Sequence, residues 1–103
     1  MWEWESNFFI NMSNNRREML NELGFEDAVV FENPDYDSAI IGYDAVSHRI
    51  IYDFDLMVEH LMTTDKMEHD EAIEFIEYNT IRATPYAGEM APIILYNLND
   101  YFN

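Results

Sequence analysis

Any fold of this chain has to keep twenty-one Asp and Glu side chains apart, with only five Lys and Arg to neutralise them. The formal net charge is −16 over 103 residues, yet 49% of the residues are hydrophobic and 16% are aromatic. Acidic disordered tails are poor in aromatic and β-branched residues. This chain is rich in both, so the sequence predicts a folded domain with an apolar interior and a strong negative field around it. Such a field repels nucleic acid, itself a polyanion. It attracts basic surfaces, above all those that proteins use to hold nucleic acid.

The length predicts a single acidic domain over residues 1–103. At this size roughly two thirds of the unfolded surface can be buried, enough for one core but not for a deep, multi-part active site. Seven Phe, seven Tyr and two Trp supply much of that core, each able to bury on the order of 150–250 Å². The chain has no Cys, which excludes disulfides, thiolate catalysis and zinc–thiolate sites. No cationic, apolar leader starts it, and no run of about 18 apolar residues could span a bilayer. The expectation is a soluble protein of the bacterial cytoplasm, and an acidic surface also disfavours anionic membranes.

The pattern along the chain points to α+β: a small antiparallel sheet of three to five strands, with two or three helices mainly on one face. Residues 1–12 alternate Trp2 and Trp4 against Glu3 and Glu5, which reads as an arm or edge strand. Ser13 suits an N-cap. Asn14 to Leu23 suits a helix with Met19, Leu20 and Leu23 inward and Gly24 as its stop. Arg16 and Arg17 lie near that helix N-terminus, where the macrodipole disfavours them, so their partners belong elsewhere in the fold. Ala28 to Phe31 reads as a strand and Asn33-Pro34-Asp35 as a turn. Ser38 to Tyr43 and His48 to Phe54 form a hairpin around Asp44 to Ser47. Asp53 or Asp55 caps a helix to about Met62. A second helix runs from about His69 to Ala83, with Ala72, Ile73, Ile76, Thr80 and Ala83 inward and Phe75 and Asn79 beside them. Pro85 and Gly88 mark a loop, and Pro92 to Leu98 reads as a last strand. Ile40-Ile41, Ile50-Ile51 and Ile93-Ile94 are consecutive apolar pairs, as expected of strands covered by other elements.

Three segments resemble a group of small, mostly uncharacterised acidic proteins of Gram-positive bacteria and their phages. They are Glu32-Asn33-Pro34-Asp35-Tyr36-Asp37, Ala39-Ile40-Ile41-Gly42-Tyr43-Asp44, and the run from Glu71 to Arg82, with Ala91-Pro92-Ile93-Ile94 in support. The resemblance covers about residues 26–96 and transfers no catalytic residues. In size and charge the chain is also similar, as a class, to phage anti-defence inhibitors, including anti-CRISPR proteins. That likeness implies that carboxylates occupy a nucleic-acid groove.

The residues themselves offer several constellations. Asp70, Glu71, Glu74 and Glu77 sit at helical spacing, continued by Asp65 and Glu68, with only Lys66 and Arg82 near them. Carboxylates about 5–6 Å apart could meet successive Lys and Arg side chains of a basic channel; the blander reading is a solvated helix face. Asp35/Asp37, Asp53/Asp55 and Glu3/Glu5 are pairs two apart. Asp35 and Asp37 form a second candidate patch. As a calcium loop the segment fails, because Ile40 stands where a Gly is needed, and turn or cap duty suits these Asp residues better. Tyr78, Asn79, Arg82 and Tyr86 could form a small-ligand pocket. Against that, Asn79 and Thr80 could bond the last helical carbonyls while Arg82 pairs with a carboxylate such as Asp53. His48, His60 and His69 are too scattered for a metal signature. Trp2, Trp4, Phe8 and Phe9 either close the core or anchor an interface.

The reading that follows is a non-enzymatic phage or prophage inhibitor that needs no metal or cofactor. It binds a nucleic-acid-binding enzyme, such as a CRISPR effector nuclease, through Asp65, Glu68, Asp70, Glu71, Glu74 and Glu77, with Asp35 and Asp37 in support. The alternatives are a ligand-binding or regulatory module, and a phage structural or assembly protein that associates with its own copies.

Overall fold

The computed structural model describes residues 16–101. The arm expected over residues 1–12, its Glu3/Glu5 pair, its aromatic residues and the Ser13 cap lie outside the described residues. In chain order the elements are helix α1 (Arg16–Glu22), a 3-10 turn (Asp37–Ala39), strands β1 (Ile40–Tyr43) and β2 (Ile50–Asp53), helices α2 (Phe54–Thr64) and α3 (His69–Asn79), a 3-10 segment (Ile81–Ala87), strand β3 (Ile93–Leu95) and a last 3-10 turn (Leu98–Tyr101). This is a small α+β fold with a three-stranded sheet in the order β1-β2-β3.

The sheet is mixed, not wholly antiparallel as the sequence suggested. β1 and β2 are antiparallel, with Tyr43 opposite Ile50 and Ile40 opposite Tyr52, and the register shifts between Ile40 and Gly42. β2 and β3 are parallel, with Ile51 opposite Ile93 and Asp53 opposite Leu95. Connection length is the reason. A tight turn can only reverse the chain, whereas the two helices between β2 and β3 form a crossover that brings the chain back in the same direction. The tight turn is built on Asp44. Its carboxylate accepts the Ser47 N–H at 2.7 Å, the Ser47 hydroxyl at 3.0 Å and the Val46 N–H at 3.0 Å. Those bonds, Ser47's first, hold the Asp44 carboxyl below its ordinary pKa.

β2 is the central strand and alternates in burial. Ile50 and Tyr52 are buried, while Ile51 and Asp53 are half-buried. Asp53 ends the strand and starts the next helix, its side chain accepting the Leu56 N–H at 2.9 Å. α2 then buries Phe54, Met57, Val58 and Leu61, a three-and-four spacing that makes one stripe. α3 buries Ala72 and Ile76, followed by Thr80. Leu20 joins this cluster from α1, and Tyr36 and Ala39 join it from the turn before β1.

Several boundaries differ from those expected. α3 stops at Asn79 rather than Ala83, and Ala83 is exposed. Pro85 accounts for the stop, since its ring would clash with the carbonyl of Ile81 in a continued α-helix; the chain tightens to 3-10 geometry instead. β3 covers only Ile93–Leu95, and Leu98 belongs to a 3-10 turn. Leu23 is exposed because α1 ends before it. Gly24 closes that helix with φ +93°, as the sequence predicted. The Phe25 N–H bonds the Leu20 carbonyl at 2.9 Å and the Gly24 N–H bonds that of Asn21 at 3.1 Å, the double bond of a Schellman end.

Ala28 to Phe31 joins no strand. Side chains take the Phe31 backbone groups that a ladder would use. The Phe31 N–H donates to the Tyr52 hydroxyl at 3.0 Å, and its carbonyl accepts Arg17 Nη2 at 3.3 Å. Its ring packs on Tyr52, centroids 4.7 Å apart, and edge-on to Tyr36 at 5.9 Å.

Burial pushes the Tyr52 phenol up to about 12, although the Phe31 N–H bond works the other way. A folded pKa above the unfolded value of about 10 means that this contribution to stability is complete below pH 10. It is lost as pH rises through 12. Tyr52→Phe should cost about 1–3 kcal/mol at neutral pH by leaving the Phe31 N–H without its acceptor. Urea unfolding between pH 8 and 12 should show a shallower alkaline decline for this variant than for the native chain.

Candidate functional site

Helix α3 turns Ala72 and Ile76 inward, which sends Asp70, Glu71, Glu74 and Glu77 to solvent; all four are exposed. These four members of the sequence-predicted row share one short helix, Glu68 stands at its N-cap, and Asp65 lies at the end of α2. Two of the row's members also serve the helix end. Glu68 is the N-cap, and the Glu71 carboxylate accepts the Glu68 N–H at 3.2 Å within a capping box. Both carboxylates sit at the positive end of the helix dipole. Asp70 has His69 Nδ1 at 3.6 Å. Asp65 is the exposed C-cap of α2, its N–H bonded to the Leu61 carbonyl at 3.0 Å. Among the described residues, Asp65, Glu74 and Glu77 have no ion-pair partner.

The cations explain why this row stays unneutralised. Arg16 Nη1 donates to the Ile40 carbonyl at 2.6 Å. Arg49 Nε donates to the Ala91 carbonyl at 2.7 Å. Lys66 Nζ donates to the Thr63 carbonyl at 3.0 Å. The Arg82 guanidinium lies 5.0 Å over the Tyr78 ring, not on Asp53 as the sequence allowed, since Asp53 caps α2. Four of the five basic side chains are thus directed at carbonyls or a ring. Among the described residues, Arg17 is the one of the five that pairs with carboxylates, Asp37 at 2.7 Å and Glu32 at 3.2 Å. Burial opposes the Arg17 charge, but the Asp37 bond and the charges of Asp37 and Glu32 outweigh it and raise the pKa further.

Asp35 and Asp37, the second candidate patch, differ in their surroundings. Asp35 is exposed and accepts the Asp37 N–H at 3.3 Å, a turn bond. Asp37 is half-buried against Arg17. Asp53 is a helix cap and Asp55 lies in the first turn of α2. No three His, Asp or Glu among the described residues group as a metal site.

Of the four residues proposed for a pocket, Tyr78 and Asn79 share a hollow among the described residues. Asn79 Nδ2 bonds the Phe75 carbonyl at 3.2 Å, and Tyr86 is 90% exposed. One groove, of about 190 Å³, runs between residues 29–36 and residues 79–87 and contains Asn79 but not Tyr78, Arg82 or Tyr86. A shallow hollow of about 280 Å³ lies on α3 itself, lined by Glu71, Glu74, Phe75, Tyr78 and Asn79. The spacing of Phe75 and Tyr78 against Glu71 and Glu74 was available in the sequence. Phe75 flanks the core, as the sequence predicts, and its outer edge also borders this hollow.

No helix among the described residues is long and apolar enough to cross a membrane. Comparison with protein-family models, with curated proteins and with solved structures gives no match.

An unneutralised surface of one sign makes stability depend on salt. Raising NaCl from about 0.01 to 0.15 M shortens the screening length from about 30 to 8 Å, and the thermal midpoint should rise. Glu74→Lys with Glu77→Lys should raise the midpoint at low salt and flatten its salt dependence. Glu71→Lys should gain less, because it also breaks the capping bond. Melting curves of the native chain and of these two variants against NaCl check this.

Proposed function

We propose that this protein is an acidic, non-enzymatic inhibitor of phage or prophage type, acting in the cytoplasm of a bacterial host. It binds a nucleic-acid-binding enzyme, with a CRISPR effector nuclease as the target expected from its class likeness, and its carboxylates stand in for phosphates in the enzyme's basic groove. The observation that carries this reading is the use of the basic residues. Arg16, Arg49 and Lys66 are hydrogen-bonded to the chain's own carbonyls and Arg82 rests on Tyr78. The row Asp70, Glu71, Glu74 and Glu77 therefore faces outward with its charge intact, joined by Asp65 and Glu68. Carboxylates on successive turns present negative charge along a line, the property that a phosphate-binding channel selects. Asp35 extends the acidic surface, while Asp37 contributes less because Arg17 holds it.

A second reading, a small-ligand module, is favoured by the groove between residues 29–36 and 79–87. It would bind an apolar molecule beside Asn79 and Thr80, and stabilisation by such a ligand in a thermal-shift screen would support it.

The test of the leading reading is a competition experiment with purified CRISPR effector nucleases, each with and without bound guide RNA and DNA. Binding to the free enzyme, displacement by nucleic acid and loss at high salt are the expected results. In the Glu74→Lys, Glu77→Lys variant affinity should fall tenfold or more, with circular dichroism unchanged, since reversing two contacts of about 0.5–1 kcal/mol or more each replaces attraction with repulsion. Equal affinity for the loaded and free enzymes would remove phosphate mimicry.

A further inference from the structure

We infer that the hollow on α3 receives a Lys or Arg side chain of the partner protein, its aliphatic stem on Phe75 and Tyr78 and its charged head between Glu71 and Glu74. This inference rests on the proposal that the partner surface is basic, and it identifies where on the acidic face the contact is specific rather than merely attractive. The hollow has about 280 Å³ of space and combines two aromatic residues with two carboxylates and Asn79. Long basic side chains need both kinds of surface, because their stems cover apolar groups while their heads stay paired or solvated. Phe75 is half-buried and so fixed in place, whereas Tyr78 remains 61% exposed with Arg82 already at 5.0 Å from its ring. Arg82 demonstrates that this ring accepts a guanidinium, and the remaining exposure leaves ring surface for a second basic stem. The Glu71 carboxylate is oriented beforehand by its bond to the Glu68 N–H, so less rotamer freedom is lost when it takes a cation. Glu74 lies one turn further on, with no cation on it among the described residues. A phosphate or carboxylate ligand would meet Glu71 and Glu74 as like charges, which leaves a basic side chain as the chemistry that fits.

The probe is a nona-arginine peptide, titrated into the isotopically labelled full chain at 0.15 M NaCl and followed by amide chemical shifts. Shifts should centre on residues 71–79. Tyr78→Ala should weaken binding about tenfold, the scale of a partly desolvated cation–ring contact, and Tyr78→Phe should bind like the native chain. Neither substitution alters the net charge, so the long-range field is the same in both. If Tyr78→Ala, shown to be folded by its own spectrum, binds as well as the native chain, the hollow is overturned. Weakening by Glu74→Lys with Glu77→Lys in that case leaves the acidic-surface reading standing. If the native chain does not bind the peptide at this salt concentration, both readings fall.

Discussion

Arg17 is the interaction on which the rest of the described structure leans. From α1 its guanidinium reaches the Asp37 carboxylate, the Glu32 carboxylate and the Phe31 carbonyl. It thereby joins the first helix, the segment before the Asn33–Pro34 turn and the 3-10 turn that delivers β1. Its neighbour Arg16 fastens the same helix to the Ile40 carbonyl at the start of β1. The planar guanidinium offers several donors in a fixed fork, so one side chain can hold three segments that no strand ladder connects. The price of this arrangement is incomplete satisfaction, for among the described residues the buried Nε of each arginine has no hydrogen-bond partner.

This placement links folding to function. A chain with 21 carboxylates and five cations could use its cations either to neutralise the surface or to brace the fold. Here bracing takes precedence, with Arg49 tying β2 to the approach to β3 through the Ala91 carbonyl. The negative surface remains as a consequence, and the apolar core has to offset its self-repulsion. That core is aromatic where the segments meet: Phe31, Tyr36 and Tyr52 pack together, and the Tyr36 hydroxyl reaches the Thr80 hydroxyl at 3.4 Å. Thr80 is thus a buried polar residue with a partner, at the point where α3 gives way to 3-10 geometry.

Features governed by short-range chemistry were legible in the sequence. The Asp53 cap, the Gly24 stop, the Asp44 turn, the buried stripe of Ala72 and Ile76 and the outward row of Asp70, Glu71, Glu74 and Glu77 all follow from spacings of two to four residues. Features governed by distant partners were not. Ala28 to Phe31 has the composition of a strand, but Tyr52 and Arg17 take its Phe31 backbone groups. Arg82 has carboxylates nearby in sequence, yet stacks on Tyr78 one helical turn back. The hollow joins Phe75, which flanks the core, to the surface residues Glu71, Glu74 and Tyr78.

The sequence by itself determined that the chain carries a strong negative field, that its apolar residues form strands and amphipathic helices in this order, and where most of those elements start. These are consequences of composition and local periodicity, which need no knowledge of the partner across the core. Tertiary structure decided that β3 runs parallel to β2, that among the described residues Asp37 is matched by Arg17 while Glu74 and Glu77 have no cation, and that Phe75 and Tyr78 share a hollow with Glu71 and Glu74. Each depends on which groups come within hydrogen-bonding or contact distance. That is fixed only when the crossover closes and the few cations choose among many possible acceptors.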